Sequence, residues 1–256
     1  MVVILGLTGG IASGKSSTAS QIATSLGKLG KEVVPIDGDK LGHLAYATGA
    51  PAYHKLIEHF GAQEILADAN EGDGERAIDR RKLGGIAFSS KKHMDALCSI
   101  VWPVIRSEIE RIIAEAKDRE QHGIAKVVIV LEAAVMLEAA WEDLVTEMLI
   151  VTFVDREIAM ERLMKRNSLS KEDALKRIDA QMSNTDRLAA AGGGSMVSFE
   201  DNGLTFMEDE DKHDGEEESL SLSSRRITVT LDNGGSEDSL QDAVATIVDR
   251  IVKVFL

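Results

Sequence analysis

Residues 2–16 read VVILGLTGGIASGKS, and the architecture of the chain follows from them. Val2 to Leu7 is a short apolar run, as expected for a strand that is buried on both faces of a sheet. Gly9 to Ser16 then matches the pattern G-x-x-x-x-G-K-S/T. Apolar residues at helical spacing follow, namely Ala19, Ile22, Ala23, Leu26 and Leu29. A strand, a glycine-rich loop and a helix in this order predict a phosphate-binding loop (P-loop).

The loop predicts a site for a nucleoside triphosphate such as ATP, with Mg²⁺. Glycines let the backbone approach a phosphate closely, and we expect the N–H groups of residues 11–16 to point at it beside the positive end of the helix dipole. Lys15 is expected to reach the β- and γ-phosphates, and the Ser16 hydroxyl to reach Mg²⁺. The predicted nucleotide-binding residues are Gly9, Gly10, Ile11, Ala12, Ser13, Gly14, Lys15, Ser16 and Ser17.

The rest of the chain predicts an α/β fold with a central parallel sheet. Further strands are predicted at 33–36, 127–131, 148–154 and 227–231. Helices are predicted between them, because apolar residues recur at helical spacing. Residues 40–118 show no strand pattern and instead predict helices at 52–60, 80–88, 91–97 and 103–116.

These elements predict one domain with four parts. The nucleotide-binding core comprises 1–39, 126–156 and 226–256. A helical insertion covers 40–125, and a helical lid covers 157–188. The segment 189–225 contains three consecutive glycines and an acidic run, so it is predicted to be a disordered insertion.

Composition excludes several classes of protein. Apolar residues make up 44% of the 256, which is enough for a core, and the net charge is −14. Such an acidic chain argues against a nucleic-acid partner, although ten of the acidic residues lie in 200–218 alone. No apolar run approaches the ~20 residues needed to span a membrane. We therefore expect an intracellular protein, cytoplasmic and monomeric by default, with no membrane partner.

Two further groups of residues favour a small-molecule kinase. Asp37-Gly38-Asp39 follows the second predicted strand, where a carboxylate can face an acceptor hydroxyl; turn formation is the alternative interpretation. Arg162 and Arg166 share one face of a predicted helix and suit phosphate oxygens, although a solvated basic face is the alternative. The guanine-reading motif Asn-Lys-x-Asp is absent from the sequence, which argues against a GTP-dependent switch.

On these residues the chain resembles the dephospho-coenzyme A kinase family, over residues 1–186 and again from 226. The matching stretches are 7–16 (LTGGIASGKS), 36–43 (IDGDKLGH), 49–53 with 60–61, 79–84 (DRRKLG), 131–141 (LEAAVMLEAAW), 162–166, 177–181 and 231–236 (LDNGGS). Gly42-His43, Ile100-Val-Trp-Pro103 and the stretch 132–138 (EAAVMLE) favour the eukaryotic form of the family. Because the chain starts at the P-loop strand, we expect a monofunctional enzyme.

The resemblance implies an activity, ATP-dependent phosphorylation of the ribose 3′-hydroxyl of dephospho-CoA, and a role for each matched residue. Asp39 is implied as the base, with Lys15, Arg162 and Arg166 as the other catalytic residues. Asp37 and Glu132 are implied as ligands that reach Mg²⁺ through water, alongside Ser16. The insertion is implied to bind the CoA moiety, and the substrate-binding residues are Asp37, His43, Arg80, Arg81 and Lys82.

Two alternatives stay open at this point. One is another small P-loop kinase that phosphorylates a nucleoside or a small alcohol. The other is a nucleotide-dependent regulator without catalytic activity.

Overall fold

The fold is given by a computed structural model that describes residues 2–68, 75–123, 126–192, 195–199, 204–208 and 226–256. The chain divides into two compact units. The first comprises 1–36 and 113–256, and the second comprises Asp37–Ile112. The helical insertion was predicted over 40–125, mostly within the second unit.

The first unit is built on a sheet of seven strands. Five of them form the predicted parallel core: β1 (Val3–Gly9), β2 (Glu32–Asp37), β3 (Val127–Glu132), β4 (Met148–Phe153) and β7 (Ile227–Asp232). The order across the sheet is β2-β3-β1-β4-β7-β6-β5. β1 therefore lies between β3 and β4 and is buried along its whole length. β2 is an edge strand, which explains how it accommodates Pro35.

Helices lie between the strands along the chain. Their bounds are α1 (Lys15–Lys28), α2 (Gly38–Ala45), α3 (Tyr53–Phe60), α4 (Ala62–Ile65), α5 (Arg80–Ala87), α6 (Lys91–Gln121), α7 (Arg156–Asn167), α8 (Lys171–Asp179), α9 (Asn184–Ala190) and α10 (Glu237–Phe255). One hydrophobic cluster joins β1, α1 and α10 and includes Leu5, Ile22, Leu26, Val244 and Ile247. This packing holds the start of α1 against the end of β1, where the P-loop lies.

The prediction of separate helices at 91–97 and 103–116 was wrong. One helix, α6, runs from Lys91 to Gln121 with Pro103 inside it. Proline costs ~3 kcal/mol in a helix interior because it lacks an N–H and its ring crowds the preceding turn. A stripe of buried residues continues past it, however: Val101, Ile105, Ile109, Ile113 and Ala116. Burial of this stripe offsets the cost of the proline.

The prediction of disorder over 189–225 was wrong for the residues that the structure describes there. Residues Ser195–Phe199 form β5 and Leu204–Glu208 form β6, which pair antiparallel with each other, and β6 pairs antiparallel with β7. The sequence there contains apolar residues every few positions, and Leu204 is buried in the core. The rest of that prediction, including most of the acidic run, lies outside the described residues.

None of the helices that the structure describes is both long enough and apolar enough to cross a membrane.

Candidate active site

The P-loop connects β1 to α1 and depends on two glycines that pack closely against other segments. A β-carbon on Gly9 would collide with the backbone oxygen of Thr152 on β4. Gly14 caps α1 with φ 87°, in the left-handed region that favours glycine. A β-carbon there would collide with the Asn233 amide, which itself donates to the Ser13 carbonyl at 2.9 Å. The loop is therefore held tightly by β4 and by the segment after β7.

Two N–H groups of the loop donate to acceptors within the protein. The Ile11 N–H donates to Gln181 Oε1 at 2.7 Å, and the Ser13 N–H donates to the Gly10 carbonyl at 3.2 Å. Both N–H groups therefore point at acceptors within the protein, and the expectation that the N–H groups of 11–16 can point at a phosphate stays a prediction. Lys15 and Ser16 lie in the first turn of α1, whose N–H groups have no carbonyl partner within the helix.

Lys15 lies across the loop instead of extending into solvent. It is only 8% exposed, and its Nζ donates to the Gly10 carbonyl at 3.3 Å. The ammonium group therefore lies over the loop. A phosphate oxygen, which carries full charge, would be a better acceptor.

Ser16 and Glu132 are in direct contact. The parallel register of β1 and β3 places Glu132 opposite Leu7, at the end of both strands. The Ser16 hydroxyl donates to Glu132 Oε1 at 2.6 Å. Hydroxyl and carboxylate oxygens are the ligand type that Mg²⁺ prefers. The described residues contain no cluster of three or more His, Cys, Asp or Glu side chains that could hold a metal ion.

A cavity of about 470 Å³ opens beside the second half of the loop. Its lining joins the P-loop to α7 and to the segment after β7 and consists of Ala12, Gly14, Lys15, Ser16, Ser17, Gln21, Arg162, Arg166, Asn233, Gly235, Ser236, Glu237 and Leu240. Both predicted arginines line it, so the structure brings them together with Lys15 and Ser16.

The two arginines of α7 make different contacts. Arg162 donates to two backbone carbonyls, from Nη2 to Asn233 at 2.7 Å and from Nη1 to Ala12 at 3.4 Å. It therefore links the P-loop to the segment after β7. Arg166 is exposed, and its Nε donates to the neighbouring Asn167 at 2.9 Å. Arg166 is thus the less constrained cation of the pair, since the bond that holds it comes from a sequence neighbour.

A second cavity, of about 290 Å³, lies at the first half of the loop. It is lined by Gly10, Ile11, Ser13, Val154, Arg156, Ala159, Ile178, Asp179, Gln181, Met182, Ser183, Asn184 and Arg187. The sequence analysis assigned no role to Gln181 or Arg187, although Gln181 ends one of the stretches that carried the resemblance. Arg187 lies one residue beyond the first region of resemblance, so no signal in the sequence singled it out.

The second unit carries the predicted carboxylates. Asp37 caps α2: its carboxylate accepts from the Lys40 N–H at 2.9 Å and pairs with Lys40 Nζ at 2.9 Å. Burial alone would raise the pKa of Asp37, but the hydrogen bonds and charge of Lys40 outweigh it and hold the pKa below its ordinary value. Asp39 lies exposed in the first turn of the same helix. Asp37 thus has a clear capping role, whereas Asp39 is left available for another contact.

The predicted substrate-binding residues of the second unit fall into two groups. His43 Nδ1 lies 3.0 Å from the Tyr46 hydroxyl. Burial raises the pKa of Tyr46, and the nearby charge of Arg80 partly offsets this effect. His43, Tyr46 and Arg80 therefore form one polar cluster.

Lys82 has a different environment. Its Nζ pairs with Asp68 at 2.8 Å and donates to the Leu66 carbonyl at 3.1 Å, so it holds the loop that precedes α5. Arg80 and Arg81 are exposed at the start of α5, which is capped by Asp79.

Comparison with known proteins identifies relatives of this chain. Residues 3–194 match the family model described as "CoaE: Dephospho-CoA kinase". A dephospho-CoA kinase of Bacillus licheniformis is 39% identical over 183 residues, which cover 72% of this chain and 82% of the relative. One of Carboxydothermus hydrogenoformans is 38% identical over 210 residues, covering 80% and 93%. The crystal structure of TT1252 from Thermus thermophilus has the same fold, with a TM-score of 0.58 and 23% identity over 98% of each chain.

Proposed function

The chain belongs to the dephospho-CoA kinase family, and we infer from this membership that it transfers the γ-phosphoryl group of ATP to the ribose 3′-hydroxyl of dephospho-CoA, giving CoA and ADP. This reaction is the last step of coenzyme A biosynthesis. The observation that carries the inference is the family match over residues 3–194, which contains the intact P-loop and its Lys15 and Ser16.

We propose that the P-loop and α1 bind the phosphates of ATP. The first-turn N–H groups of α1 and its dipole favour an anion at this end of the helix. Lys15 already lies over the loop, so its charge needs little rearrangement to meet the β- and γ-phosphates. Arg162 would keep the loop in place, and Arg166 would contact phosphate oxygens when the segment 157–188 closes as a lid.

We propose that Ser16 and Glu132 bind Mg²⁺, because their oxygens are 2.6 Å apart at the end of β1 and β3. When bound, the ion would neutralise charge on the phosphates and help to orient them. The hydrogen bond from the Ser16 hydroxyl to Glu132 holds the two side chains together. Asp37 is the third proposed contributor, through water; Lys40 holds the pKa of its carboxyl below the ordinary value, which favours the charged form.

We propose that Asp39 accepts the proton of the ribose 3′-hydroxyl as the oxygen attacks the γ-phosphorus and the bond to ADP breaks. Support comes from its exposure and its place directly after β2, at the strand end where α/β sheets bind ligands. Asp37, by contrast, is engaged with Lys40. For the CoA moiety we propose contacts with His43, Arg80 and Arg81, whereas Lys82 would act by holding the loop before α5.

We also propose three finer properties. The likeness to the eukaryotic form of the family rests on Gly42-His43, Ile100-Val-Trp-Pro103 and the stretch 132–138 alone, and the relatives reported above are bacterial. A monomer in an intracellular, cytoplasmic location is the simplest expectation for this reaction, and light scattering after size-exclusion chromatography tests the first part.

A coupled ADP-release assay with different acceptors tests the proposed function. ADP release should depend on dephospho-CoA and should stay at background with adenosine or pantetheine. Equal or greater release with adenosine would favour a nucleoside kinase instead. ATP binding without turnover on any acceptor would favour a non-catalytic regulator.

A further inference from the structure

Arg187 is a buried cation whose guanidinium nitrogens have no hydrogen-bond acceptor among the described residues. Its side chain is 1% exposed. A guanidinium group has five N–H donors, yet among the described residues Nε, Nη1 and Nη2 have no hydrogen-bond partner. Leaving buried charged donors unpaired is costly, so a buried arginine of this kind calls for an explanation.

The counter-charge to Arg187 is distant. Glu138 Oε1 lies 3.8 Å from Nη2, which is an ion pair but too long for a hydrogen bond. The other Glu138 oxygen is also buried and has no hydrogen-bond partner in the described part of the chain. Burial lowers the pKa of Arg187, and the charge of Glu138 offsets part of that effect. The pair therefore keeps Arg187 charged without saturating its donors.

The guanidinium group faces the P-loop. A β-carbon on Gly10 would stand 3.5 Å from Arg187 Nη1, so the absence of a side chain at Gly10 leaves the group open to the loop. Both residues line the 290 Å³ cavity at the first half of the loop. This cavity has room for an anion between Arg187 and the loop backbone.

The segment that carries Arg187 is fixed to the loop and to the sheet. Gln181 Oε1 accepts the Ile11 N–H at 2.7 Å, and Asn184 Nδ2 donates to the Val154 carbonyl at 3.1 Å. Ser183 caps α9 by accepting the Asp186 N–H at 3.1 Å. Arg187 is thus preorganised at the loop, as a group that stabilises a transition state must be.

We propose that Arg187 binds the terminal phosphoryl group of ATP at the first half of the P-loop and stabilises the charge on its oxygens during transfer. A planar guanidinium group can donate two parallel hydrogen bonds to such oxygens. Glu138 is a positioning residue that balances the charge of Arg187 until the nucleotide arrives. The proposal rests on the proposed function, since it assigns a role within phosphoryl transfer.

The test compares Arg187→Met with Arg187→Lys and with a matched control, Arg226→Met. Arg226 is a half-buried arginine of the same unit, and it donates to the carbonyls of Glu142 and Ala191. Arg187→Met should lower kcat by about 10²–10³-fold, with Arg187→Lys intermediate. Thermal unfolding of Arg187→Met should shift little, whereas Arg226→Met should lower Tm and leave kcat within about two-fold of wild type.

Calorimetry measures nucleotide binding without any acceptor. The result therefore tests the role of Arg187 even if dephospho-CoA is not the acceptor. Arg187→Met should weaken binding of the β,γ-imido analogue of ATP by about ten-fold or more, as expected for loss of a charge-assisted contact, and change ADP binding little. A kcat within two-fold of wild type would overturn the proposal, as would equal losses of affinity for both nucleotides. If Arg187→Met does not fold, kcat and the affinities for the two nucleotides are compared between Arg187→Lys and the wild type, because the lysine keeps the buried charge.

Discussion

Gly14 and Gly27 belong to the same loop–helix unit, but substitution by alanine should have opposite effects on stability. Gly14 has φ 87°, and a β-carbon there would meet the Asn233 amide. Gly27 lies in α1, and a β-carbon there would have no heavy atom within 4 Å. Gly14→Ala should therefore strain the backbone and displace Asn233. Gly27→Ala should only reduce the conformational freedom of the unfolded chain.

The magnitudes follow from these contacts. A non-glycine residue in the left-handed region costs about 1–2 kcal/mol. Displacing Asn233 breaks its buried hydrogen bond to the Ser13 carbonyl, which costs about 1–3 kcal/mol more. Gly14→Ala should thus lower the free energy of unfolding by about 2–5 kcal/mol. Gly27→Ala should raise it by about 0.5–1 kcal/mol.

Urea denaturation followed by circular dichroism measures both changes, and calorimetry measures ATP affinity. Gly14→Ala should also lose ATP binding, because the first turn of α1 must shift, whereas Gly27→Ala should bind ATP like the wild type. Equal changes in stability for the two variants would refute the reasoning. So would a Gly14→Ala protein that binds ATP normally.

Three further changes test other residues of the chain. Lys15→Ala should keep the fold and abolish detectable ATP turnover in the ADP-release assay. Asp39→Asn should have the same midpoint of urea denaturation as the wild type. It should lose most of its kcat, while its affinity for ATP stays unchanged. Burial raises the pKa of Glu147 above its ordinary value, against the hydrogen bonds from Thr146 and the Ile4 N–H. The stability that Glu147 contributes is therefore fully present below the ordinary pKa and is lost as pH rises through the raised one. Glu147→Gln should remove this part of the pH dependence, measured by urea denaturation between about pH 4 and pH 8.

The sequence predicted the nucleotide-binding half of the fold well because its signals are local. The apolar run before Gly9 and the stripe after Ser16 lie within a few residues of the P-loop, and both depend only on periodicity. The structure places β1 at Val3–Gly9 and α1 at Lys15–Lys28, in agreement with the predicted order. The confirmed α/β fold follows from that order.

The errors arose where packing overrides local preference. Pro103 is a helix breaker by propensity, but the buried stripe that runs past it keeps α6 continuous. The prediction of disorder for 189–225 gave more weight to the glycines and acidic residues than to the apolar residues of β5 and β6. Pairing with β7 supplies hydrogen bonds that no local pattern reveals.

The site could be predicted where its residues are part of a sequence motif, as Lys15 and Ser16 are part of the P-loop pattern. The contact between Ser16 and Glu132 depends on the register of β1 with β3, which spacing in the sequence does not give. Arg187 could not have been found from the sequence. Its significance comes from burial, from guanidinium donors that have no hydrogen-bond partner in the described part of the chain, and from proximity to Gly10, all of which arise only in the folded chain.

Identification of the product tests the central claim most directly. The purified chain is incubated with ATP, Mg²⁺ and dephospho-CoA, and the products are analysed by mass spectrometry and ³¹P NMR. We predict equal amounts of ADP and of CoA with a new phosphate on the ribose 3′-oxygen, and no product with the Lys15→Ala variant. Unchanged dephospho-CoA after prolonged incubation with a folded, ATP-binding protein would contradict the proposed function, as would phosphate on any other atom.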